Sequence, residues 1–245
     1  MRKFILIILV PLFYFLLPEQ AAAQYDHGFR FIRIKYTDTP SEWSGRGFGR
    51  GRGGRGGFWS HDYPTAEYNL LEAIERTTGL RVNDQPLILT LTDERIFEYP
   101  ILYLCEPGHW ALDAEEAKNL RKYLHRGGFI LFDDFAGRDW NNFYFNIKQV
   151  FPNKEPVLLQ PDHTVWSIFY DIDPIEAAST KYGLSRYDDE YYGIFDDKGR
   201  LMCLICYNQD IGDGWEHPFG RRVLAEASTV SFQMGINFII YALTH

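Results

Sequence analysis

An α/β domain built on a mostly parallel sheet is the fold class that the sequence predicts, and three observations predict it. Short apolar runs such as Tyr99 to Leu104 and Phe129 to Phe132 read as strands buried on both faces. Between them lies a stretch with helical spacing, so strand, helix and strand follow one another as in a right-handed parallel crossover. Polar residues then collect directly after the apolar runs: His109 in the loop after the first, Asp133 and Asp134 after the second, and Tyr207 to Glu216 at the end of a third, Gly199 to Tyr207. In open parallel sheets ligands gather at the carboxyl ends of the strands, which makes these residues candidates for one shared site.

Taken in order, the chain begins with an address. Arg2 and Lys3 precede an apolar run from Phe4 to Leu17, and Ala21-Ala22-Ala23 supplies the small residues a signal peptidase needs. Residues 1–23 are expected to be a signal peptide, with export to the periplasm or the extracellular space and a single domain over 24–245. The run is shorter than the ~20 residues of a spanning helix, and no later stretch is long and apolar enough to cross a membrane. Phe29 to Tyr36 is the expected first strand. Gly45 to Gly57, with arginines at 46, 50, 52 and 55, cannot pack a core and is expected to be a disordered Gly/Arg loop.

Phe58 to Leu71 opens the first helix, with Pro64 in its first turn, Asp62 near its cap and Gly79 at its end. Trp59, His61, Asp62 and Tyr63 therefore occupy the loop entering a helix N-terminus, where backbone donors favour a polar or anionic ligand. Leu87 to Leu91 holds the next strand. Asp113 and Glu116 stand at capping-box spacing ahead of Ala117, Leu120 and Leu124, and Gly127-Gly128 stops that helix. Further on, the pattern predicts a short helix over Asn141 to Val150, a strand at Val157 to Leu159 and a turn at Pro161-Asp162-His163. Phe169 to Phe195 lacks a clear period and is expected to be an irregular excursion covering the site edge. Gly199 to Tyr207 is a buried strand, and Ser228 to Leu243 has the spacing of a closing helix.

Composition narrows the function classes. The 245 residues suffice for one domain with a proper core, and the 17% of aromatic residues make that core rich in Phe and Tyr. A formal net charge of -8 disfavours a nonspecific nucleic-acid binder. Cys203 and Cys206, three apart on a strand, point to opposite faces, so they form neither a zinc knuckle nor a redox turn. Cys105 ends the first core strand four residues before His109 and reads as a small buried side chain more readily than as a nucleophile.

Asp62, His109, Asp133, Asp134, His163, Asn208 and Asp210 each follow a strand or open a helix on what should be one edge of the sheet. Carboxylates with histidines could bind a divalent metal, with Asp133 or Asp134 and His109 or His163 as ligands. Paired carboxylates could share acid and base roles on a sugar. The same groups, with Trp59, Trp110 and Trp215 as stacking faces, could bind a glycan or a peptide. The catalytic candidates are accordingly Asp133, Asp134 and His109, and the ligand-binding candidates Trp59, Asp62, His163, Asn208, Asp210 and Trp215. No spacing such as H-E-x-x-H assigns a metal or cofactor. Adjacent aspartates after a strand also suit a structural role, capping the next helix and holding the turn through backbone amides.

The ordered stretches WSHDYPTAEYNLL, EYPILYL with GHW beyond, LRKYLHRGGFILFDD, PDHTVW, CYNQDIGDGWE and GINFIIYALT resemble a family known as a domain of unknown function, DUF4159, from Phe29 to Thr244. The resemblance implies the flavodoxin-like three-layer sandwich of the class I glutamine amidotransferase-like superfamily, which includes ThuA-like proteins associated with sugar metabolism. It implies no activity. Amidotransferase relatives carry a nucleophilic cysteine at a sharp turn after a strand; here GGFILFDDF puts Asp133 or Asp134 there, which argues against that chemistry. The Gly/Arg insertion stands outside the family pattern. Similar domains occur with von Willebrand A type proteins and MoxR-type ATPases, which implies an envelope complex. The expected function is an exported ligand-binding or assembly module of the cell envelope, and the alternative is a hydrolase acting on a carbohydrate or envelope polymer.

Overall fold

The structure, a computed structural model, describes residues 28–39, 56–175, 190–218 and 225–245. The expected leader and nearly all of the Gly/Arg stretch lie outside the described residues. In chain order the elements are β1 (Ile32–Ile34), β2 (Thr37–Asp38), α1 (Thr65–Thr78), β3 (Leu87–Leu89), β4 (Ile101–Cys105) and β5 (Trp110–Ala111). Then follow α2 (Ala114–His125), β6 (Phe129–Phe135), α3 (Asp139–Val150), β7 (Val157–Leu158), β8 (Glu190–Phe195), β9 (Leu201–Tyr207), α4 (Ile211–Glu216) and α5 (Ala225–Thr244).

Among the described residues a seven-stranded sheet runs β3-β1-β4-β6-β9-β8-β7, and β2 pairs with β5 in a small ribbon beside it. The first five strands are parallel, and β8 runs antiparallel to its two neighbours, β9 and β7. Counted in chain order, the parallel strands lie 2-1-3-4-5. Helices cover both faces, which is why the central strands are apolar throughout: every residue of β4, and every residue of β6 including its two aspartates, is buried. Leu70, Leu71 and Ile74 of α1 and Phe238 and Ile239 of α5 pack on one face against Tyr103, Phe129 and Leu131. Leu120 and Leu124 of α2 and Phe143 and Ile147 of α3 pack on the other against Leu102, Leu104, Ile130 and Phe132.

Local chemistry sets the element ends. Asp113 accepts from the backbone of Glu115 and Glu116 while its own N–H donates to Glu116, so the capping box of α2 forms as its spacing predicts. The first helix begins differently from expectation. Pro64 occupies its N-cap and no side chain caps it, which releases Asp62 from that task. The stretch before β9 also differs. Residues 190–195 form β8 inside the predicted irregular excursion, pairing over their whole length with β9; residues 176–189 lie outside the described residues. Tyr-rich sequence has high strand propensity but shows no alternation of residue type here, because the half-buried positions of β8 carry Tyr192 and Phe195 as well as Glu190. Cys203 and Cys206 join opposite cores, as residues three apart on a strand must. Among the described residues no helix is long and apolar enough to cross a membrane.

Candidate functional site

The carboxyl ends of β1, β4, β6 and β9 meet at one edge of the sheet, and the backbone there is unusual. Asp62, Glu106, Asp134 and Asn208 all have positive φ, between 53° and 63°, and they are the non-glycine residues among those described that do so. A side chain in this region costs about 1–2 kcal/mol, somewhat less for Asp and Asn, and such residues concentrate where a side chain has a task.

The two aspartates of β6 divide the labour. Between Phe132 and Phe135 three residue steps on β6 oppose the two steps from Ile205 to Tyr207 on β9, a bulge that breaks the alternation and turns Asp134 aside. Asp133 faces α4. Its Oδ1 accepts from the Ile211 N–H at 3.2 Å, and its Oδ2 accepts from the Gly212 N–H and the Tyr103 hydroxyl, both at 3.0 Å. Burial and then the charge of Asp134 push its carboxyl up to about 7. Asp133 is thus a structural peg that holds the start of α4. Asp134 instead lies 2.5 Å from His61 Nδ1 and accepts a long contact from the Cys105 thiol at 3.7 Å.

His61 and Asp62 are held by β1, an inner strand of the sheet. Arg33, fully buried on β1, donates to the carbonyl oxygens of Trp59 at 2.9 Å and His61 at 2.7 Å while its Nε pairs with Glu67 of α1. The loop before α1 is therefore tied to the sheet through its backbone. With Nδ1 against Asp134, His61 turns Nε2 to within 3.4 Å of Asp62 Oδ1. Both carboxylate oxygens of Asp62 are buried without a hydrogen-bond donor, as is Oδ2 of Asp210. Burial, then the charge of Asp134, pushes the Asp62 carboxyl up to about 8, with His61 acting in the opposite sense. Asp210 is pushed well up as well, by burial and then by Asp134, Asp62 and Asp213.

A second group flanks this centre. Gly108 lets the turn over Pro107–His109 lie on α3, since a Cβ there would overlap Asp139. His109 stacks on Phe58 with ring centroids 3.6 Å apart, and its Nε2 is 3.8 Å from Glu106 Oε2. Burial lowers the basicity of His109, and the charges of Asp139, Asp38 and Asp134 offset this in part. Cys105 is fully buried and its thiol is pushed well up, by burial first and by Asp134 next, so it is a neutral donor here.

The fold thus brings Asp62, Asp133, Asp134 and Asp210 to one edge, with His109 beside them. Other predicted residues go elsewhere. His163 lies at the opposite end of the sheet, near Phe195 and Tyr241, where its Nδ1 accepts from the Val165 N–H. Asn208 accepts from the Gly137 N–H and secures the loop after β6. Trp59, Trp110 and Trp215 are buried and present no stacking face; Trp215 packs against Phe31 and Tyr103 and donates to the Ser231 carbonyl. Aromatic side chains of this size fill cores as readily as they line clefts, and the sequence does not separate the two. His61, Glu106 and Asp213 were not among the catalytic or ligand-binding candidates, although His61 directly precedes Asp62 and Asp213 follows Asp210 by one helical turn.

Two groups at this edge could hold a metal ion. One ligand atom each from His61, Asp62, Cys105 and Asp134 lie within 4.8 Å of one another, and so do one each from Asp62, Asp210 and Asp213. A third group, Asp213, Glu216 and His217, lies at the partly exposed side of α4.

Residues 31–243 match the family model described as Domain of unknown function (DUF4159), and the chain belongs to that family. No curated protein matches the chain.

Proposed function

We propose that this DUF4159 protein is an exported ligand-binding or assembly module of the cell envelope, and that its polar ligand enters at the carboxyl edge of the sheet. The observation that carries the reading is Asp62, a buried carboxylate with neither oxygen hydrogen-bonded, set among residues in strained backbone conformations. An unsatisfied buried polar group costs about 1–3 kcal/mol, and more if charged, so a ligand bearing donors recovers that cost on binding. Hydroxyl-rich glycans and the amides of a peptide are such ligands. The leader at 1–23 supports export, and the partners consistent with the family are von Willebrand A type and MoxR-type proteins.

The fold reading goes with it. Parallel strands in the order 2-1-3-4-5 with helices on both faces support a flavodoxin-like sandwich, as in the class I glutamine amidotransferase-like and ThuA-like proteins. In that reading Asp134, at positive φ in the bulge near the end of β6, stands where amidotransferases bear the nucleophile at a sharp turn. Amidotransferase chemistry is set aside, because the turn carries a carboxylate and the nearby thiol is buried.

A hydrolase acting on a carbohydrate or envelope polymer is the second reading, favoured by one arrangement. His61 stands between Asp134 and Asp62, an imidazole oriented by one carboxylate and presented toward another, as a general base would be. The test is a thermal-shift and calorimetric screen of envelope glycans and peptides on wild type and Asp62→Ala, with product analysis on the hits. Binding that is lost in Asp62→Ala, with the ligand recovered intact, is the expected result. Cleavage abolished by His61→Gln would move the assignment to the hydrolase, and no Asp62-dependent binding of any kind would sink both.

A further inference from the structure

Asp62 is the point at which the protein alone does not complete the site. Its two oxygens accept no hydrogen bond and face different neighbours. Oδ1 lies toward His61, whereas Oδ2 lies against Gly212 at the start of α4, where a Cβ would sit 2.8 Å away. Asp210 shows the same incompleteness: Oδ1 accepts from the Asp213 N–H at 3.0 Å, and Oδ2 is buried with no donor. Among the described residues no lysine or arginine forms a salt bridge with Asp62 or Asp210. Buried carboxylates that converge without a lysine or arginine are held neutral by protons, which a divalent cation can displace.

We propose that Asp62, Asp210 and Asp213 hold a hard divalent cation at the carboxyl edge. One oxygen from each lies within 4.8 Å of the others, and an all-carboxylate set suits Mg2+, Mn2+ or Ca2+ better than a softer metal. Asp62 and Asp210 form the buried wall, and Asp213, partly exposed, forms the side open to solvent. Such ions keep several waters, which are the positions that ligand hydroxyls would take. Gly212 belongs to the design, because any side chain there would fill the space beside Asp62 Oδ2. His61, positioned by Asp134, adjoins the cation through Asp62. The inference rests on reading this edge as the functional site, and it names the ion through which that site holds its ligand.

The probe is Mn2+ alone, added to chelator-stripped full-length mature protein and counted by electron paramagnetic resonance. One Mn2+ per chain is expected, with binding weakened on the order of 100-fold in Asp62→Asn and in Asp210→Asn. The paired substitution Glu216→Gln with His217→Ala should leave it unchanged, which separates this site from the group on the outer side of α4. Absence of bound Mn2+, binding that survives both aspartate changes, or binding lost only in the paired substitution would each overturn the proposal. Should either buried substitution prevent folding, Asp213→Asn combined with the paired substitution decides: retained Mn2+ overturns it and lost Mn2+ supports it. Since no glycan or peptide is present, failure here leaves the ligand screen to be judged separately.

Discussion

At the amino end of the sheet the chain passes through left-handed conformations at Gly28, Gly79, Gly127 and Gly199, and at the last three a Cβ would meet nothing within 4 Å. At the carboxyl end the same conformation falls on Gly57 and Gly137 but also on Asp62, Glu106, Asp134 and Asn208. The amino end meets a backbone requirement with the residue that adopts it at least cost. At four positions the carboxyl end meets it instead with side chains that are charged or amide-bearing, buried and, at Asp62, lacking a donor. Strain and poor satisfaction coincide there, which is the pattern of a site whose geometry is held in place by a well-packed scaffold.

The sharpest way to break this comparison is at Asp133, the one carboxylate of the edge that is fully engaged. Asp133→Ala removes the acceptor of three buried hydrogen bonds and should cost on the order of 3 kcal/mol in urea unfolding. A cost below about 1 kcal/mol would mean that α4 is held by packing alone.

Next comes the pH dependence of Asp62. Its carboxyl stands at about 8 in the folded protein against an ordinary 3.8, so between these values the folded state binds more protons than the unfolded state. Stability therefore falls as pH rises through that window, and the full penalty is present above it. Asp62→Asn removes the titration. In chelator it should gain on wild type by roughly 2–4 kcal/mol between pH 5 and pH 9. A difference that does not vary with pH would show that Asp62 is already compensated. The smallest effect concerns the amino end, where Gly127→Ala should cost about 1 kcal/mol and Gly127→Asn less, since the side chain would meet open space and only the backbone is strained.

Much of the architecture is legible in the chain. Fully apolar runs announced β4, β6 and β9, and the capping box announced α2, because strong local signals there agree with the tertiary fold. The edge residues Asp62, Asp133, Asp134 and Asp210 were legible for the same reason: each stands next to a strand or helix end. What separates Asp133 from Asp134 was not legible, since it depends on a bulge against β9, some seventy residues later in the chain. The pairing of His61 with Asp134 depends on Arg33, a basic residue that reads as solvent-facing until its strand is seen to lie inside the sheet with both faces covered. β8 was missed because its half-buried positions carry Tyr192 and Phe195 as well as Glu190, so residue type does not follow the alternation of burial by which a strand is recognised.

The three cysteines have a use apart from chemistry. Cys105 and Cys206 are sealed beneath α1, α4 and α5, whereas Cys203 is sealed beneath α2 and α3, and all three are free thiols with no exposed surface. Each thiol becomes reactive only when its own layer opens, so the rates at which a thiol reagent labels Cys203 and Cys206 report the opening of the two helical layers from a single strand. Addition of a ligand at the carboxyl edge would slow labelling at Cys206 more than at Cys203 if it fastens α4 to the sheet, which turns two neighbouring residues into a clock for each side of the molecule.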